Sequence, residues 1–195
     1  MKTEYELRVA GLTRKLKLYP ISNSRKIAAF ILLGDAELCE ACARELIKRM
    51  PEHDIMLTAE AKSIPLAHEM ARQAGEARHV IARKGVKVYM QNPIAVEVQS
   101  ITTASKQKLY LGEEDAQALC GKKVLIVDDV ISTGKSLQAL EELVAAAGGE
   151  VAGKMAVLAE GDAAKRGDIL FLQQLPLFDA KGCLLYTSDA ADDLT

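Results

Sequence analysis

The chain has 195 residues, of which 49% are hydrophobic and 27% charged, with a formal net charge of −2 at pH 7. This is enough for one domain with its own core, and a charge so near zero gives no support for a broad electrostatic surface for nucleic acid. No run of about 18 apolar residues exists, so no helical span of a bilayer is expected.

Met1 to Arg8 is charged and lacks the apolar stretch of a secretory signal. Tyr5 to Val9 and Lys15 to Tyr19 alternate in polarity around Gly11, which predicts a hairpin. Asp35 reads as the N-cap of a helix running to about Met50, where Pro51 stops it. Cys39 and Cys42 form a C-x-x-C inside that helical run, with no partner pair elsewhere, so packing is expected rather than redox or metal chemistry. The four cysteines form no secreted disulfide scaffold, and a reducing cytoplasm is the expected location.

Asp54 to Thr58 is a short apolar run that leads into Ala59-Glu60-Ala61-Lys62-Ser63. A helix from about Pro65 to Gln73 follows, closed by Gly75. His79 to Arg83 is a second buried-strand candidate. Val96 to Thr102 and Lys108 to Leu111 alternate around a polar bend. Lys123 to Val127 is the clearest strand, followed by Asp128-Asp129 and a helix from about Lys135 to Ala147. Glu150 to Ala159 and Ile169 to Leu172 supply further strands. Strands alternating with helices predict an α/β fold with a largely parallel sheet covered on both faces. Residues 1–50 stand outside this alternation and are expected to form a small hood over the C-terminal edge of the sheet, where ligands bind in open α/β folds. Residues 1–182 are thus expected to be a single domain.

Val124-Leu-Ile-Val-Asp-Asp-Val-Ile-Ser-Thr-Gly-Lys-Ser136 carries the chemistry. An apolar strand delivers two carboxylates, and a hydroxyl-rich turn then opens a helix. The amides there, with Ser132, Thr133 and Ser136, make an anion cradle, and Gly134 allows close approach of the backbone. Two carboxylates beside an anion need hydroxyls or a hydrated cation to face, such as a ribose diol and Mg²⁺. A P-loop is excluded, because its first glycine would fall at Asp129.

This segment resembles the phosphoribosyl pyrophosphate (PRPP) motif of type I phosphoribosyltransferases, and the resemblance extends over most of residues 1–182. Ala59 to Ser63 is similar to the pyrophosphate loop of the adenine and xanthine enzymes, although Lys62-Ser63 stands where adenine enzymes usually carry Arg-Gly. Ala82-Arg83-Lys84-Gly85-Val86-Lys87 is similar to their basic turn, and Gln99 to Tyr110 to their mobile hairpin loop. The resemblance implies the type I phosphoribosyltransferase fold and transfer of ribose 5-phosphate from PRPP to a purine base, adenine first, in purine salvage. It implies Mg²⁺ as cofactor, PRPP and a nucleobase as partners, and a homodimer. Asp128 and Asp129 would fix the ribose, and Ser132, Thr133, Gly134, Lys135 and Ser136 would anchor the 5′-phosphate. Glu60, Ala61, Lys62, Ser63, Lys84 and Lys87 would hold pyrophosphate. Leu158 and Glu160 would meet the base, with a core leucine and a surface glutamate an equally good reading, and Phe178 and Pro176 readable as packing. No metal ligand is assigned beyond Asp128 and Asp129 acting through PRPP. The alternatives are a non-catalytic PRPP-sensing module, or a transferase for xanthine, hypoxanthine or a pyrimidine. Residues 183–195 resemble one reading frame of a transposon-type sequencing adapter, and are therefore expected to be non-native and to carry no fold.

Overall fold

In a computed structural model, residues 2–98 and 107–185 are the described residues. Strands β1 (Glu4–Val9) and β2 (Leu12–Pro20) form the expected antiparallel hairpin, turning through Ala10 and Gly11 at positive φ. A short β3 (Arg25–Ala28) then pairs with β2. Helix α1 (Ala36–Ile47) is capped by Asp35, whose carboxylate accepts the Leu38 amide at 3.1 Å and is clamped by Arg14 at 2.7 Å. Cys39 and Cys42 are buried in this helix as free thiols, and burial pushes them up to about 11 and about 12. Protonated thiols of this kind are poor nucleophiles, which fits packing.

The central sheet is built from β4 (Ile55–Ala59), β5 (His79–Ala82), β8 (Lys123–Ile131), β9 (Glu150–Glu160) and β10 (Leu170–Leu175), all parallel, in the order β10-β9-β8-β4-β5. Its apolar side chains form two buried clusters. Helices α1 and α2 (Ile64–Ala74) pack in one; α3 (Glu113–Leu119), α4 (Lys135–Ala146) and the hairpin of β6 (Ile94–Val98) and β7 (Gln107–Leu111) pack in the other. Both faces are thus covered, which is why β4 reads as an unbroken apolar run. The strand order reverses between β4 and β8, and the crevice beyond such a switch point is the general ligand position of this architecture.

The second sheet differs from the expected hood in two ways. Helix α1 packs against α2, β9 and β10 and belongs to the main core, so residues 29–50 are not part of the hood sheet. The hood is completed from the far end of the chain: β10 runs through Pro176 into β11 (Leu177–Asp179), which pairs with β3 and then with β12 (Leu184–Leu185). The expectation that no fold extends past Gly182 is corrected over residues 183–185. Asp179 accepts the amides of Lys181 and Cys183 at 2.8 Å, which turns the chain back into the edge pairing. A sheet edge accepts extended backbone of any sequence, so the pairing is indifferent to the origin of the segment.

Phe178 anchors this sheet. It is fully buried, and its ring meets Tyr5 edge-on at 5.3 Å. Among the described residues, no helix is long and apolar enough to cross a membrane. Phe178→Ala is expected to cost about 3–5 kcal/mol in urea unfolding. A loss below about 1 kcal/mol would show that the hood does not depend on β11.

Candidate active site

The site begins where two strands part. Strand β4 pairs with β8 from Ile55↔Val124 to Leu57↔Ile126 and no further, while it continues alongside β5 as far as Ala59↔Ala82. Strand β8 keeps its other neighbour, β9, to Ile131↔Ala159. From Val127 onward β8 therefore has a free edge toward the loop after β4. Asp128 and Asp129 lie on that edge, inside the strand rather than after its end as the sequence suggested. The strand is longer because β9 offers backbone partners through Ala159.

The loop after β4 faces the acids across the gap. Ser63 Oγ donates to Asp128 Oδ1 at 3.1 Å, and the same oxygen accepts the Asp129 amide at 2.9 Å. Lys62 Nζ stands 3.9 Å from Asp129 Oδ2, an oxygen that is buried and accepts no hydrogen bond. Burial, followed by the charge of Asp129, pushes the Asp128 carboxyl well above the ordinary carboxylate range. Beyond Ile131 the chain turns through Ser132 and Thr133, both exposed, to Gly134 at φ +78°, and α4 starts with no acidic residue in its first turn. The free amides and positive end of that helix are of the kind that suits an anion.

Two further carboxyls complete the electrostatics. The Glu60 carboxylate accepts the Lys84 amide at 2.9 Å and lies 3.6 Å from Arg83 Nη1 and 3.8 Å from Lys87 Nζ. The Lys84 amide, then the Lys87 and Arg83 charges, hold it below its usual range. Burial pushes the Glu160 carboxyl up, opposed by the Ser132 hydroxyl and the Lys62 charge. Glu160 thus lies within reach of both the loop after β4 and the turn before α4.

Residues 59–63, Lys84, Asp128, Asp129 and Ser136 share one cleft of ≈ 240 Å³, with Gln107 and Lys108 from the β6–β7 hairpin among its other lining residues. Lys87 joins it through Glu60. Ser132, Thr133 and Lys135 belong to the turn but do not line the cleft. Leu158 is corrected: it is fully buried in the same cluster as Val127, Val157 and Phe178, with no surface to offer a flat ligand. The expected loop tip, residues 99–106, lies outside the described residues. Arg166 went unnoticed in the sequence. Its Nε and Nη2 are held by Asp168 at 2.9 and 2.7 Å, and its Nη1 lies 2.7 Å from where a side chain on Gly134 would begin. No local pattern links positions so far apart.

Asp128 and Asp129, with a buried unpaired oxygen between them and Lys62, suit a hydrated divalent cation brought in by a polyol phosphate. Among the described residues no group of three or more His, Cys, Asp or Glu could hold a metal unaided. This donor set fits a cation that shares its ligands with substrate.

Comparison with known proteins agrees with this geometry. A family model described as a phosphoribosyl transferase domain matches residues 33–175. A hypoxanthine/guanine phosphoribosyltransferase of Methanocella arvoryzae is 32% identical over 149 residues, 76% of this chain and 71% of that one. An adenine phosphoribosyltransferase of Rhodococcus jostii is 31% identical over 150 residues, 77% of this chain and 82% of that one. The crystal structure of adenine phosphoribosyltransferase from Thermoanaerobacter pseudethanolicus superposes with a TM-score of 0.66 at 22% identity, covering 82% of this chain and 95% of that one.

Burial and the charge of Asp129 both favour a proton on Asp128. A carboxyl whose pKa is raised on folding holds a proton more tightly in the folded state, so stability is lost as pH rises through the raised value. The ligand-free protein is therefore expected to lose stability from the ordinary carboxylate range up past neutrality. Asp128→Asn keeps an oxygen for Ser63 and for the Asp129 amide, and should flatten that decline and gain on the order of 1 kcal/mol above neutrality. Denaturant unfolding across pH checks this; a variant that tracks the wild-type profile would show that the Asp128 carboxyl is not raised.

Proposed function

The chain belongs to the phosphoribosyltransferase family, with the type I fold and a purine-type enzyme activity, and from that premise we propose that it transfers the 5-phosphoribosyl group of PRPP to adenine. The products are pyrophosphate and the nucleoside 5′-monophosphate. The observation that carries this is one crevice in which two carboxylates on the free edge of β8 face the loop after β4 and Ser136 from the first turn of α4.

In this reading the turn from Ser132 to Ser136 grips the 5′-phosphate with amides and hydroxyls. Asp128 and Asp129 accept from the ribose hydroxyls and orient C1 toward the base. Lys62, Lys84 and Lys87 stabilise charge building on the departing pyrophosphate, while positive charge develops on the ribose ring. No covalent nucleophile is needed, and rate comes from positioning and from charge placed in advance. Mg²⁺, held through Asp128, Asp129 and substrate oxygens, would neutralise part of the pyrophosphate charge. The β6–β7 hairpin at the cleft is the element suited to exclude water. The reading includes a homodimer, as is common in this family, and a cytoplasmic location.

Adenine is supported by Glu160, whose carboxylate would accept from an exocyclic amine beside the sugar site, and by the relative named for adenine. A 6-oxopurine is the second reading. It is favoured by relatives named for hypoxanthine and guanine.

Incubating the protein with PRPP, Mg²⁺ and a panel of purine and pyrimidine bases, with nucleotides detected by mass, tests both readings. Adenosine monophosphate as the main product supports the first, and inosine or guanosine monophosphate the second. No nucleotide from any base would leave a PRPP-binding protein without this activity. Asp129→Asn should lower turnover with the preferred base by about 100-fold or more, and near wild-type turnover would remove Asp129 from the proposed role.

A further inference from the structure

Glu60 sits among the cations assigned to pyrophosphate, yet a carboxylate and a diphosphate are both acceptors and cannot bond each other. Its two oxygens do different things. One accepts the Lys84 amide at 2.9 Å. The other faces Arg83 at 3.6 Å and Lys87 at 3.8 Å. The main chain of Glu60 is anchored independently, its amide donating to the Ala82 carbonyl at 2.9 Å. The side chain is thus free to act on the basic turn after β5 rather than on its own loop.

We propose that Glu60 is a positioning residue that moors the 83–87 turn and serves as a resident stand-in for the diphosphate. This rests on the proposed reading of the cleft as a PRPP site. The amide bond sets where the turn lies. The ion pairs keep Arg83 and Lys87 beside Glu60, at the wall of the cleft, while no ligand is present. Those pairs are half-open, with side-chain exposures of 23% for Glu60, 29% for Arg83 and 40% for Lys87, and such pairs are weak and readily exchanged. An incoming diphosphate takes over the cations and leaves the amide bond in place. Glu60 therefore sets the strength of pyrophosphate binding without touching pyrophosphate, and a competing internal anion favours release of that product.

The two roles separate by substitution. Glu60→Gln keeps an oxygen for the Lys84 amide and removes the competing charge. Glu60→Ala removes both. Titration calorimetry with inorganic pyrophosphate, on the full chain at fixed Mg²⁺ and ionic strength, reads the difference. Glu60→Gln is expected to bind about five-fold more tightly than wild type, and Glu60→Ala about five-fold or more weakly than Glu60→Gln. Binding by Glu60→Gln that equals or falls below wild type overturns the stand-in role, and does so even where Glu60→Ala fails to fold. Equal binding by a folded Glu60→Ala and Glu60→Gln overturns the mooring role. A wild-type protein that binds neither PRPP nor pyrophosphate overturns the parent reading and this inference with it.

Discussion

The site depends on an early end to one strand pairing. Strand β8 loses β4 as a neighbour after Ile126 but keeps β9 to Ile131, so five residues of backbone continue with one edge open. The crevice needs no separate scaffold, because divergence of the two strands at the switch point makes it. The same divergence puts the β4 loop opposite the acids, close enough for Ser63 to reach Asp128. Folding energy from the two apolar clusters holds the strands apart, and the cost appears locally as the buried Asp129 carboxylate with its orphaned oxygen. Such violations of local stability are what a preorganised polar site entails.

Charge in the cleft is balanced between separate elements rather than within one. Lys62 approaches Asp129 of β8, and Arg83 and Lys87 approach Glu60, each pair joining groups from different segments of the chain. All these contacts are longer than a good hydrogen bond, so they hold charges in place without locking them. A ligand carrying phosphate at both ends and hydroxyls between could satisfy the cations, the acids and the α4 amides together. The acid pair behaves differently: Asp129 is buried, and burial together with its charge pushes the neighbouring Asp128 carboxyl up.

Local pattern made part of this legible. The segment from Val124 to Ser136 holds strand, acids, turn and helix start within thirteen consecutive positions, and each step has a sequence signature. Asp35 as a cap, Gly75 as a stop and the loop at Ala59–Ser63 were legible for the same reason. Long-range pairing was not. Nothing near β3 announces that β11 will complete its sheet, and the continuation of β8 past the acids depends on β9. Leu158 was misplaced because the alternation of β9 breaks: Val157 and Leu158 both enter the same apolar cluster, while Ala156 and Ala159 enter the other. Helix α3 was missed because seven residues with three leading acids give too short a period to read.

The central claim is that the free edge of β8 and the start of α4 bind a sugar phosphate together. Amide NMR during titration with ribose 5-phosphate tests it most directly, since the ligand carries the two recognised ends and no base or diphosphate. The account predicts progressive shifts at the amides of Thr133 to Leu137 and at Asp128 and Asp129, with the far end of the sheet unmoved. Shifts confined to another part of the surface, or saturation without movement of those amides, would contradict it.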